Sequence, residues 1–165
     1  MKNILLLFIV IFTLASCAAK KEAAAISQLY QSILASTHSE SERQIVEYLI
    51  KNKLRAQKTK QGVYYIIKNE GDGANPTKAD NITCHYKGSL LDDTVFDSSY
   101  ERDEPVTFPL SRLIEGWQIG LPLIKAGGAI QLFIPPNLGY GERAAGKIPG
   151  NSVLIFDMEL FEVTN

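Results

Sequence analysis

The sequence has 165 residues, a hydrophobic fraction of 45%, a charged fraction of 21% and a formal net charge of −1. That length fits one domain with a real core plus a short appendage. The near-neutral balance gives no global electrostatic case for nucleic acid or for an anionic membrane, and no run of like charges stands out. Two cysteines, Cys17 and Cys84, and two histidines, His38 and His85, are too few and too scattered for a metal centre. The expectation is therefore no metal, no cofactor and no disulfide.

Met1-Lys2-Asn3 carries one positive charge, and an apolar run follows from Ile4 to Ala15. The run is too short for a transmembrane helix, which needs about 20 residues, but it has the length of a signal-peptide core. Leu14-Ala15-Ser16-Cys17 resembles the lipobox of bacterial lipoprotein signal peptides. The resemblance implies cleavage after residue 16 and acylation (palmitate) of Cys17. Ala18, being non-acidic, then implies anchoring in the outer membrane of a bacterial envelope, facing the periplasm. The alternative is an ordinary secretory peptide with a chance cysteine. With Cys17 acylated, Cys84 would remain a free thiol, read as a small buried hydrophobe.

Residues 17–60 read as a tether and a helical spacer. Ile26, Leu29, Tyr30, Ile33 and Leu34 form one helical stripe, and Ile45, Val46, Leu49, Ile50 and Leu54 form a second. The spacing predicts helices over 23–35 and 40–57, with Ser39 and Glu42 as a capping box for the second. The stripes can bury locally, on the following domain or across a dimer, so monomer and dimer both stay open. The domain from 61 to 165 is expected to stand alone.

In that domain, strands are predicted over 62–68, 82–91, 106–108, 130–134 and 154–161 from alternating or β-rich runs. Cys84 and Tyr86 should share the inner face of the second. One short helix, 115–121, is ended by Pro122. A single helix among antiparallel strands makes an α+β domain. The loop from Pro135 to Gly150 is long enough to suggest function.

Five elements then resemble, in order, those of the FKBP-type peptidyl-prolyl isomerases. They are Cys84-His85-Tyr86-Lys87-Gly88, Val95-Phe96-Asp97-Ser98-Ser99, Ile114-Glu115-Gly116-Trp117, Pro136-Asn137-Leu138-Gly139-Tyr140-Gly141, and the ending from Ile148-Pro149 through Leu154-Ile155-Phe156-Asp157-Met158-Glu159-Leu160. They cover nearly all of 61–164. The lipoprotein members and the macrophage infectivity potentiators are the nearest in kind. The resemblance implies a twisted antiparallel half-barrel sheet wrapped around one short helix, preceded here by the helical spacer. It implies an apolar aromatic pocket in which Xaa-Pro bonds rotate without covalent chemistry.

By the same resemblance, Phe96, Trp117, Phe156 and Tyr86 enclose the proline ring, with Trp117 as the floor. Leu113 and Ile148 add apolar contact. The Ile114 backbone N–H and the Tyr140 hydroxyl bind substrate carbonyls. Asp97 supplies a polar wall, supported by Arg102. Val106 stands where the best-known members have Phe, at the expected pocket mouth, and Asp93 replaces a usual turn glycine. Implied partners are Xaa-Pro segments of exported proteins, macrolide inhibitors, and the membrane through the lipid on Cys17, with no nucleic acid. Two other classes compete: a client-holding module with little turnover, and an envelope adhesin.

Overall fold

Alternating burial along the chain builds the sheet that carries this molecule. In a computed structural model that describes residues 39–165, the first element is helix α1, Glu40–Lys51. Ser39 caps it, its hydroxyl accepting from the Glu42 N–H at 3.1 Å. The helix stops six residues short of the predicted end. Asn52 closes it with a side-chain bond to the Tyr48 carbonyl, and Lys53 turns the chain out through a positive φ of 56°. The predicted helix over 23–35, the signal peptide and Cys17 lie outside the described residues.

The strands are β1 (Gln57–Lys58), β2 (Tyr64–Asn69), β3 (Asn81–Ser89), β4 (Val95–Ser98), β5 (Val106–Pro109), β6 (Gly128–Ile134) and β7 (Leu154–Thr164). All pairings are antiparallel. The order is β1-β2-β6-β7-β3-β4, with β5 also paired to β3. Sequence periodicity missed β1 and β4. β1 has only two residues, and β4, with burial that does not alternate, shows no period. Helix α2, Glu115–Gly120, continues into a 3₁₀ turn, Leu121–Leu123, where Pro122 ends it.

Both faces of the sheet are covered. On the inner face, Ile82, Cys84, Tyr86, Ile130, Leu132, Ile134, Phe156 and Met158 pack around Trp117 and Leu121 of the helical segment. Gly116 and Gly120 let α2 approach this closely. A Cβ on them would lie 2.5 Å from Ile134 Cγ2 and from Leu132 Cδ1 respectively. On the outer face, Ile45 and Leu49 of α1 pack with Phe133, Val153 and Ile155. Glu42 ties the same helix to β2 by accepting from the Tyr64 hydroxyl at 2.7 Å.

Ser39–Asn165 is therefore one compact unit. The boundary expected at 61 falls inside it: α1 packs in its second core, and β1 pairs with β2. Ile45, Val46 and Leu49 are all at most 7% exposed, and Ile45 and Leu49 bury on the domain itself. Asp93 sits at the turn before β4 with φ of 67°, a conformation that aspartate tolerates. Cys84 is fully buried, and burial pushes its thiol pKa up to about 12, so it is chemically quiet.

Candidate functional site

The concave side of the sheet holds a cavity of about 200 Å³ between β3, β4, β5, β7, the segment before α2 and the long loop. Trp117 is its floor, 4% exposed. Tyr86 and Phe156 meet its indole edge-on, with centroids 5.2 and 5.0 Å away. Phe96 stands edge-on to Phe156 at 5.5 Å. Such aromatic pairs contribute about 0.5–1.5 kcal/mol each beyond area burial, so the wall is stiff as well as apolar. Gly88 makes room for it: a Cβ there would sit 2.5 Å from Phe96 Cε2 and 2.9 Å from Phe156 Cε1. The glycine that ends the β3 motif is thus a packing requirement of the aromatic wall.

One side of the cavity is polar. Asp97 Oδ2 accepts from the Tyr86 hydroxyl at 2.5 Å, and Asp97 Oδ1 from Arg102 Nη1 at 2.7 Å. Arg102 Nη2 also donates to the Tyr86 oxygen at 3.0 Å, closing a triangle. Partial burial opposes ionisation of Asp97, but the Tyr86 and Arg102 hydrogen bonds outweigh it and hold the carboxyl below its usual range. Burial first, then the Asp97 bond, pushes the Tyr86 phenol up to about 12. Tyr140 is 46% exposed and lines the cavity. Burial of its ring and the Asp97 charge raise its phenol above the ordinary value. Tyr140 therefore stays a hydroxyl donor throughout the physiological range.

Ile114 occupies the N-cap of α2, with extended backbone, so its N–H belongs to none of the helix turns. Gln118, one turn on, donates from Nε2 to the Leu113 carbonyl at 2.7 Å and to the Ser111 carbonyl at 3.3 Å. That clamp fixes the segment from which Leu113 and Ile114 line the cavity. The sequence reading did not single out Gln118, since a polar residue on a short helix carries no signal of its own.

Tyr86, Phe96, Asp97, Leu113, Ile114, Trp117, Tyr140 and Phe156 all converge on the cavity. Three expected residues do not line it. Arg102 stands behind Asp97 and Tyr86, its guanidinium carbon 5.8 Å from the Tyr86 ring centre. Ile148 is 5% exposed in the inner core, where it bridges to Ala145. Val106 packs, half buried, against the same core. Phe108, two residues on and on the same strand face, lines the cavity in its stead, 6.4 Å from Trp117 and 6.2 Å from Tyr86. The family pattern marks the departure at Val106, whereas the aromatic that lines the cavity from this strand is Phe108.

A model of the FKBP-type peptidyl-prolyl cis-trans isomerase family matches residues 73–161, which includes every residue lining this cavity. The chain belongs to that family. It is 54% identical over 109 residues to FKBP-type peptidyl-prolyl cis-trans isomerase FkpA of Buchnera aphidicola subsp. Schizaphis graminum, covering 66% of this chain and 43% of that protein. It is 44% identical over 121 residues to the FKBP-type 22 kDa peptidyl-prolyl cis-trans isomerase of Escherichia coli, covering 72% of this chain and 59% of that one. The chain thus spans about half the length of these curated relatives. Among solved structures, FkpA from Escherichia coli superposes with a TM-score of 0.69 at 36% identity, over 92% of this chain and 70% of that one. AtFKBP13 superposes with a TM-score of 0.61 at 37% identity, over 66% of this chain and 98% of that one. The seven strands and short helix are the FKBP-like fold.

Proposed function

We propose that this chain accelerates cis–trans rotation of Xaa-Pro bonds in exported proteins. Family membership supports the reaction class, and the cavity supports the means. Rotation about a prolyl amide takes tens to hundreds of seconds unaided, because twisting breaks amide resonance. No bond between heavy atoms forms or breaks. A planar amide is more polar than a twisted one, so an aromatic enclosure favours the twisted form. Each tenfold gain requires only about 1.4 kcal/mol of such differential binding.

The observation that carries this reading is the placement of polar groups around an apolar floor. The proline ring fits against Trp117, between Tyr86, Phe96 and Phe156. The Ile114 N–H and Tyr140 hydroxyl offer donors to the carbonyls on either side of the ring. The ionised Asp97 faces the rotating carbonyl and disfavours its planar, charge-separated resonance form. The same enclosure accepts the ring of a macrolide inhibitor.

The sequence before residue 39 supports an envelope location. The lipobox at Leu14–Cys17 places acyl chains on Cys17, and Ala18 directs the protein to the outer membrane with the domain in the periplasm. More than one chain gives stable anchoring. Acyl labelling of wild type and Cys17→Ser tests this part: equal labelling overturns it. A protease-coupled isomerase assay, with and without a macrolide, tests the activity. Saturable binding of proline peptides with no rate enhancement would favour a client-holding module instead.

A further inference from the structure

The unit Ser39–Asn165 holds 14 Lys and Arg residues against 17 Asp and Glu. Five of those cations, Lys51, Lys53, Arg55, Lys58 and Lys60, fall within residues 51–60, and no acid does. The ten residues therefore carry +5, and the rest of the unit carries −8. The sequence conceals this, because each cation is separated from the next by uncharged residues. The fold collects them. They run from the last turn of α1, through its exit, along β1 and into the turn before β2, and all five side chains are exposed.

Among the described residues, one of the five is neutralised. Lys58 bonds to Glu42 and lies over the Tyr64 ring at 5.3 Å. Lys51, Lys53, Arg55 and Lys60 make no ion pair among the described residues. Lysine on a sheet edge can simply deter pairing with another strand. That explains Lys58, which lies in β1, but not the four that flank it.

Position gives the cluster a direction. β1 is one end of the strand order β1-β2-β6-β7-β3-β4, and β4, bearing Phe96 and Asp97, is the other. Five strand steps separate them, about 24 Å along the sheet. We infer that this basic edge is a docking surface for anionic phospholipid headgroups, holding the unit on a bilayer with the isomerase cavity turned away from it. Each cation near an anionic surface strengthens binding roughly fivefold, while the excess acids elsewhere on the unit repel the same surface. The molecule thus has one favourable face. The inference stands on charge and topology and does not require acylation of Cys17; an acyl chain would add to the effect by keeping the edge near the membrane.

The test uses residues 18–165 without lipid, so that acylation plays no part. Its flotation is measured with vesicles of neutral phosphatidylcholine and with vesicles containing 30% phosphatidylglycerol, at about 0.1 M salt. Partitioning should be at least tenfold stronger on the anionic vesicles and should fall as salt rises. Lys51→Gln, Lys53→Gln, Arg55→Gln and Lys60→Gln combined should remove most of that difference and leave isomerase kcat/KM unchanged. A control with Lys78→Gln, Lys87→Gln, Lys125→Gln and Lys147→Gln loses the same charge and should bind like wild type. Equal binding to both vesicles overturns the inference, as does equal loss in the two variants. Binding of a single-stranded polynucleotide as tight as that of anionic vesicles, and equally lost in the first variant, would overturn the assignment to lipid.

Discussion

The Tyr86 hydroxyl donates to Asp97 Oδ2 at 2.5 Å, joining a residue of the cavity's aromatic wall to the carboxylate that lines it. The bond fixes the Asp97 rotamer toward the cavity, and Arg102 holds the other oxygen. Tyr86→Phe keeps the ring and removes the donor. The net loss is about 1 kcal/mol, because water partly replaces a bond to a half-exposed carboxylate. We expect kcat/KM to drop about fivefold, the melting temperature to fall by about 3–5 °C, and the Asp97 carboxyl resonance to titrate at higher pH than in wild type. An unchanged Asp97 titration would show that the triangle does not set its ionisation.

The pH profile follows from the same groups. Asp97 is held below the usual carboxylate range, so it is ionised well before neutrality. A lowered folded-state pKa stabilises the protein above the ordinary aspartate value, and that contribution is lost as pH falls through the lowered one. The Tyr86 and Tyr140 phenols titrate above their ordinary value. Isomerase kcat/KM should therefore be flat from about pH 5 to pH 9 and decline only in stronger acid or base. A midpoint between pH 6 and pH 8 would point to a titrating group outside this cavity.

Phe108 and Val106 separate wall from core on one strand. Phe108→Ala opens the cavity beside Trp117 and Tyr86, so we expect kcat/KM to fall about tenfold or more and macrolide affinity with it. Val106→Ala removes half-buried core contact and should cost about 1 kcal/mol of stability, with kcat/KM within twofold of wild type. Inhibitor affinity and melting temperature measured on both variants check the assignment. The reverse pattern would place Val106, not Phe108, at the site.

Truncation tests the role of α1. A chain beginning at Ser39 should match residues 18–165 in urea midpoint and in activity. A chain beginning at Gln61 loses Ile45, Val46 and Leu49 and uncovers Phe133 and Ile155. At roughly 1.5–3 kcal/mol for each buried aliphatic side chain, the loss rivals the whole stability of a small domain, about 5–15 kcal/mol. The Gln61 fragment should therefore unfold at much lower urea. Equal midpoints would show that α1 is a mere spacer.

The contrast between motif and context explains what the sequence disclosed. Tyr86, Phe96, Asp97, Trp117, Tyr140 and Phe156 were legible because each sits in a short string whose residue types are jointly constrained. Gly88 and Gly116 belong to those strings because the folded chain leaves no room there for a Cβ. Gln118 acts through backbone carbonyls, which any sequence supplies, so nothing marked it. The helix stripe at Ile45, Val46 and Leu49 was visible, but a stripe does not say what covers it. The cations of 51–60 were visible singly, and only the strand order made them one edge.

The activity proposed for this aromatic cavity, with Asp97 on its wall, is rotation of Xaa-Pro bonds. Exchange NMR on a short Xaa-Pro peptide measures that rotation directly and needs no coupling protease. The decisive comparison is Ser39–Asn165 against the double variant Phe96→Ala/Asp97→Leu, with folding of both verified by their thermal transitions. The wild-type unit should give enzyme-accelerated exchange, and the folded variant at least a hundredfold lower kcat/KM. Equal exchange rates in the two would contradict the proposed activity.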